Sequence, residues 1–130
     1  MGAVEPRVRE LAQSANFAAF TVNLESGHSM SHVMWVDADD DHVLINTEVH
    51  RAKFKAVQRD PRVSVTIWEH ADPYTYAEVR GRVVEIVRGV EARAHIDALS
   101  RKYRGRDYDP AKITSERVIL RIAPDVQRLH

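Results

Sequence analysis

The fold class this sequence predicts is mainly β: a six-stranded antiparallel barrel with short helices at its ends. Three observations predict it. Six stretches carry strand patterning, and most are joined by connections of hairpin length, which excludes a parallel sheet because parallel pairs need long crossovers. Only two or three short segments carry helical periodicity, too few to cover a large open sheet. Gly81 interrupts the longest strand pattern between Arg80 and Arg82, where a glycine marks the bulge or bend that curling a sheet needs. At 130 residues the chain builds one core and not two, so residues 1–130 are expected to form a single domain.

The elements follow in order. Val8, Leu11, Ala12 and Ala15 recur at helical spacing and Pro6 suits a first turn, so Glu5 to Ala15 is a helix. Phe17 to Leu24 alternates, with Phe20, Val22 and Leu24 on one face, until Glu25-Ser26-Gly27 turns the chain. Ser31 to Asp37 is the second strand. Its centre, Val33-Met34-Trp35-Val36, has no polar alternate, so both faces should be covered by protein, a partner subunit or a ligand. Asp37 to Asp41 lacks the central glycine and distal glutamate of a calcium loop and lies between strands, so it is a hairpin turn. Val43-Leu44-Ile45 is the third strand, ending at an Asn46-Thr47 turn. Arg51 to Arg59 is a helix stopped by Asp60-Pro61. Val63, Val65 and Ile67 alternate with Ser64, Thr66 and Trp68 in a fourth strand, and Glu69 to Pro73 is a loop. Tyr74 to Val87 is the long strand bent at Gly81. Ala92, Ile96, Leu99 and Tyr103 place an amphipathic helix over Val90 to Tyr103. Arg117 to Ile122 is the last strand, ended by Pro124.

Composition excludes several functions. Nineteen basic residues against nineteen acidic ones leave no global field for nucleic acid or an anionic membrane, so any anion binding must be local. The absence of cysteine removes disulfide and thiolate chemistry and fits a reducing compartment. The N-terminus mixes charges where a secretory signal needs an apolar core, and no apolar run reaches membrane-spanning length; the expectation is a cytoplasmic protein.

The stretch from Val33 to Lys55 is the strongest candidate for chemistry. Two apolar strands lead into a helix whose first turns carry Arg51, Lys53 and Lys55, and cations there reinforce the positive end of a helix. On a short helix, lysine and arginine are usually just its solvated face, which is the alternative for these residues. Seven histidines show no metal-ligand spacing, no serine lies in a nucleophile elbow, and no glycine-rich phosphate loop is present. Trp35 and Trp68 are either core residues or walls for a planar ligand, and Tyr74 and Tyr76 flank the loop after Trp68. Arg80 and Arg82 either protect an edge strand or form a second cationic wall.

Taken in order, Val33-x-Trp35-Val36, the acidic turn, Ile45-Asn46-Thr47, Arg51-x-Lys53, Arg59-Asp60-Pro61-Arg62-Val63-Ser64, Tyr76-x-Glu78-Val79-Arg80-Gly81-Arg82-Val83 and Glu116-Arg117-Val118 with Pro124 resemble the pyridoxamine phosphate oxidase-like split-barrel superfamily. Within it the chain is most similar to the flavin/deazaflavin oxidoreductases that use coenzyme F-420. The resemblance spans about residues 8 to 129. It implies a split-barrel homodimer with cofactor sites at the interface. The phosphate end would meet Asn46, Thr47, Arg51 and Lys53, with Lys55 on the same helix, while the flat ring lies along Met34, Trp35 and Val36. Trp68 and the Tyr74 region would line the pocket mouth or come from the neighbouring subunit, and Arg80 would face an acidic tail. It further implies hydride transfer between reduced coenzyme F-420 and a conjugated small-molecule acceptor. FMN chemistry of the oxidase type and non-catalytic cofactor binding are the alternatives. No residue is identified as a proton donor.

Overall fold

The computed structural model describes residues 3–130. Helix α1, Pro6–Gln13, precedes a hairpin of β1, Phe17–Asn23, and β2, Ser29–Trp35. Then come β3, Asp37–Ala38; β4, Val43–Glu48; α2, Ala52–Arg59; β5, Arg62–Glu69; and β6, Asp72–Val87. Helix α3, Val90–Arg104, a 3-10 turn at Pro110–Lys112 and β7, Arg117–Leu129, complete the chain. The strands form one curled antiparallel sheet in the order β2-β1-β5-β6-β7-β4-β3, the half-barrel that the split-barrel reading requires.

Period-2 alternation decides what the sheet encloses. Ala18, Phe20 and Val22 of β1, Val63, Val65 and Ile67 of β5, Ala77 and Val79 of β6, and Val118, Leu120 and Ile122 of β7 form one core. Val8, Leu11 and Ala12 of α1 and Phe54, Ala56 and Val57 of α2 cap it. A smaller cluster of Leu44, Val87, Ala92 and Ile119 seats α3 on the outer side of the sheet. Asn16 secures the end of α1: its amide donates to Leu11 O at 3.0 Å and accepts from the His70 N–H at 2.8 Å.

Four expectations change. There are seven strands, not six, because Asp37–Ala38 pairs with Val43 and Leu44 across the acidic turn; two residues are too short to show an alternation. The turn itself is the expected hairpin, with Asp39 Oδ1 accepting from the N–H groups of Asp41 and His42 at 2.9 and 2.7 Å. Strand β4 does not stop at Ile45: Asn46, Thr47 and Glu48 stay in the ladder opposite Ile119, Val118 and Arg117, all buried. The expected loop before β6 shrinks to a tight turn at His70 and Ala71, since Asp72 already pairs with Glu69. Finally, β7 passes through Pro124 and runs on to Leu129.

Proline is tolerated there because the ladder is already broken by a register shift. Gly81 faces Pro124 while Arg80 faces Val126, leaving Asp125 as the extra residue of a bulge. Gly81 supplies the close approach: a Cβ on it would lie 2.1 Å from Ala123 O.

Strand β2 pairs with β1 alone and is an edge of the sheet. Of the apolar run Val33 to Val36, Val36 is buried, whereas Val33 is 67% exposed. The chain therefore covers this strand on one side only. Among the described residues no helix is long and apolar enough to cross a membrane.

Candidate functional site

Where β2 leaves the sheet and α3 crosses it, a cleft of about 280 Å³ opens. Phe17, Val33, Met34 and Trp35 come from the β1–β2 hairpin, Ile96, Leu99 and Arg104 from α3, Asn46 from β4, and Tyr108, Lys112 and Arg117 from the last third of the chain. One side is flat and apolar, and the other is cationic.

The apolar side is held rigidly by aromatic stacking. Trp35 lies parallel to Tyr103, with centroids 5.1 Å apart and planes 6° apart, and takes the edge of Tyr108 at 6.2 Å. The Arg104 guanidinium sits 5.2 Å from the Trp35 ring centroid. Tyr103 is fixed in turn because its hydroxyl donates to Asn16 O and accepts from the Val36 N–H at 3.1 Å. Burial, aided by the nearby Asp37 charge, pushes its phenol up to about 12 against the Val36 hydrogen bond. Lys102, one residue earlier, donates to Val36 O at 2.6 Å and Ala12 O at 3.0 Å. Desolvation brings that ammonium down to about 8, even with Asp37 opposing the shift. Both backbone polar groups of Val36 are thus tied to α3.

The cationic side gathers Arg51, Lys53 and Arg117, with one carboxylate at its margin. Lys53 is buried, and its pKa falls below the ordinary lysine value through desolvation and then through the like charges of Arg51 and Arg117. Arg117, whose side chain is 10% exposed, is also lowered, first by desolvation. Among the described residues neither Arg51 nor Lys53 forms an ion pair, and the nearest carboxylate to Arg117 is Glu48, at 3.9 Å. Glu48 is itself committed to the N–H of Thr114, 3.0 Å away. The N-cap of α2, Arg51, makes no side-chain capping bond, which leaves the positive helix end uncompensated.

Asn46 joins the two sides. Its Nδ2 donates to Ala92 O and His95 Nδ1, each at 3.1 Å, and its Oδ1 accepts from Arg117 Nε–H at 2.8 Å. His95 Nε2 meets Asp37 Oδ2 at 3.0 Å. Burial opposes ionisation of Asp37. That is more than offset by the bonds from His95 and the Ala38 N–H, with Lys102 adding to them, and the carboxyl stays below its ordinary range.

A flat apolar floor beside three clustered cations, two of them without an ion-pair partner among the described residues, is an arrangement for a planar molecule with an anionic tail. The family model for pyridoxamine 5'-phosphate oxidase matches residues 4–130. The chain belongs to the pyridoxamine 5'-phosphate oxidase family. Solved structures agree on the fold. An F-420 reductase superposes with a TM-score of 0.83 at 23% identity, over 96% of this chain and 98% of that one. A conserved hypothetical protein from Mycobacterium tuberculosis gives 0.73 at 23% identity, over 97% and 83%. A putative pyridoxamine 5'-phosphate oxidase from Listeria innocua gives 0.69 at 18%, over 95% and 92%. A search of curated proteins found no match.

Within this oxidase-family fold the residues expected from sequence fall into distinct groups. Met34, Trp35 and Asn46 line the cleft, and Arg51 and Lys53 stand beside its Arg117. Val36 lies behind the floor with its side chain in the core. Thr47 is buried, and strand alternation points it away from Asn46. Lys55 is exposed on another face of α2, near Leu24, Glu25 and Arg59. Trp68 pairs with Phe17 on the side opposite Trp35 and does not line the cleft. Tyr74 is 88% exposed at the start of β6. Arg80 is exposed, bonded to Glu78 at 3.1 Å, and lies in a separate groove with Arg62 and Asp125.

Sequence reasoning missed Arg104, Tyr108, Lys112 and Arg117 as cleft residues. In the motif Glu116-Arg117-Val118 the readable signal is Arg117, since a charge opening an apolar strand invites a partner. Nothing local marks the other three, which arrive only because α3 packs on β4 and β7 and the segment after it returns past Trp35.

Proposed function

We propose that the chain is an F-420-dependent oxidoreductase, working as a homodimer, that transfers a hydride between the reduced deazaflavin and a conjugated organic acceptor. The observation that carries this reading is buried Lys53, set between the like charges of Arg51 and Arg117 with no acidic partner of its own among the described residues, a position that is costly unless an anion completes it. Family membership and the fold shared with an F-420 reductase support it.

When bound, the coenzyme supplies the redox chemistry, carrying two electrons and a proton as hydride. The chain supplies the rest. Lys53, Arg51 and Arg117 hold the phosphate, the strand from Met34 to Val36 with Trp35 supports the ring, and the packed Tyr103 and Tyr108 exclude water from that side. The cleft of about 280 Å³ falls short of the roughly 300–1,000 Å³ usual for cofactor sites, and β2 beside it presents an unpaired edge. A second copy seated against Val33 would complete both.

Titration of the purified protein with coenzyme F-420 is expected to saturate in the micromolar range, with at least tenfold weaker binding for Lys53→Ala. Absence of binding at those concentrations overturns the reading. An FMN enzyme of the oxidase type is the second reading, favoured by the family match itself; it predicts yellow protein on purification that releases FMN on heating. Tight binding without turnover across quinones, enones and tetrapyrroles would instead indicate a cofactor carrier.

A further inference from the structure

Four groups form a directed hydrogen-bond chain behind the cleft: Arg117 Nε to Asn46 Oδ1, Asn46 Nδ2 to His95 Nδ1, and His95 Nε2 to Asp37 Oδ2, at 2.8, 3.1 and 3.0 Å. The direction is dictated by its fixed members. An arginine Nε–H only donates, and the Ala92 carbonyl, 3.1 Å from Asn46 Nδ2, only accepts. Asn46 must therefore turn its oxygen to Arg117 and its NH₂ to Ala92 and His95. The reversed amide would set donor against donor at Arg117 and acceptor against acceptor at Ala92. That orientation in turn requires His95 to offer a bare Nδ1, so its hydrogen is on Nε2, pointing at the Asp37 carboxylate.

We infer that His95 is a positioning residue for anion binding: with Asp37 behind it, it locks Asn46 and thereby aims Arg117 at the cleft. The chemical sense of the arrangement lies in what holds Arg117. A carboxylate placed directly on the guanidinium would orient it equally well but would compete with the anionic ligand. A neutral amide grips only the Nε–H, neither Nη group hydrogen-bonds to the described residues, and the one nearby carboxylate, Glu48, stands 3.9 Å from Nη1, beyond hydrogen-bond reach. The negative charge of Asp37 is kept two links away, where it sets the histidine tautomer. Asn46 is buried and His95 nearly so, so water cannot substitute freely for either link. The inference rests on the proposed anion site for its purpose, although the lock itself is a property of the ligand-free protein.

Two substitutions of the same histidine test it. His95→Gln carries a donor to the position of Nε2 but leaves Asn46 without its acceptor, whereas His95→Asn puts an oxygen near the position of Nδ1 and keeps that acceptor. The first readout is the solvent exchange rate of the Arg117 Nε–H by nitrogen-resolved NMR on the free protein. Exchange is expected to accelerate at least tenfold in His95→Gln and to stay within threefold of the parent in His95→Asn. The second is the coenzyme F-420 dissociation constant, expected to rise about tenfold in the glutamine variant only. Unchanged exchange in His95→Gln, or equal losses in both variants, would overturn the inference. Altered exchange in a protein that never binds the coenzyme would uphold the lock and reject the proposed function. Asn46→Ala, which cuts the chain directly, is expected to match His95→Gln and serves if that variant does not fold.

Discussion

Lys102 makes the stability of this protein rise with pH over a range where most proteins level off. Its ammonium has a folded-state pKa of about 8 against an ordinary value of 10.5, because burial costs the charge more than Asp37 returns. Below pH 8 both the folded and unfolded chains carry the proton, and the full penalty is present. Between about pH 8 and 10.5 the unfolded chain binds more protons than the folded one, so raising the pH relieves the penalty. The difference of roughly 2.5 pH units corresponds to about 3 kcal/mol as an upper bound, with a slope of at most about 1.4 kcal/mol per pH unit. The neutral amine keeps two N–H donors, enough for both Val36 O and Ala12 O, so the gain is in charge alone. Above pH 10 the sign reverses. Tyr103, held at about 12, keeps a proton in the folded state that the unfolded chain loses, and stability falls through pH 12. Urea unfolding at constant ionic strength should show a rising midpoint from pH 7.5 to 9.5, with most of the rise lost in Lys102→Met. A flat profile in the parent protein, or the same slope in the variant, would refute the argument.

Lys53→Ala should act in opposite directions on the two states: the free protein gains stability near neutral pH because a buried cation between Arg51 and Arg117 is gone, while the coenzyme F-420 dissociation constant rises at least tenfold. Thermal scans with and without coenzyme test both halves. Gly81→Ala should lose about 3 kcal/mol or more in urea unfolding, since the added Cβ would overlap the backbone oxygen of Ala123 and a paired strand has to move. Val33→Lys, on the exposed face of the β2 edge, should shift the proposed dimer to monomer in sedimentation velocity without changing the circular dichroism spectrum.

Strand alternation was enough to read the core, because Phe20, Val22, Val63, Val65, Ile67, Val118, Leu120 and Ile122 repeat at the period that burial on one face demands. Elements whose limits depend on tertiary contacts were not readable. Asn46, Thr47 and Glu48 read as the end of a strand, yet remain inside one because α3 and the segment before β7 bring hydrogen-bond partners to Asn46 and Glu48. Pro124 reads as a terminator until Gly81 is seen opposite it. The site divides in the same way: Met34, Trp35, Arg51 and Lys53 lie in one stretch and can be proposed together, whereas Arg104, Tyr108, Lys112 and Arg117 are remote in sequence, Arg117 joining through the β4–β7 ladder and the others through α3 and the segment after it.

That division has a physical basis in β4. All six of its residues are buried, yet it carries Asn46 and Glu48, which an interior strand tolerates only with complete hydrogen bonding. Asn46 is met by Ala92 and His95 from α3 and by Arg117 from β7, and Glu48 by Thr114. The β4–β7 ladder uses only the backbone groups of these residues, so strand pairing alone does not call for this network. It does suit an anion site, where Arg117 needs a firm support that leaves its charge facing the cleft.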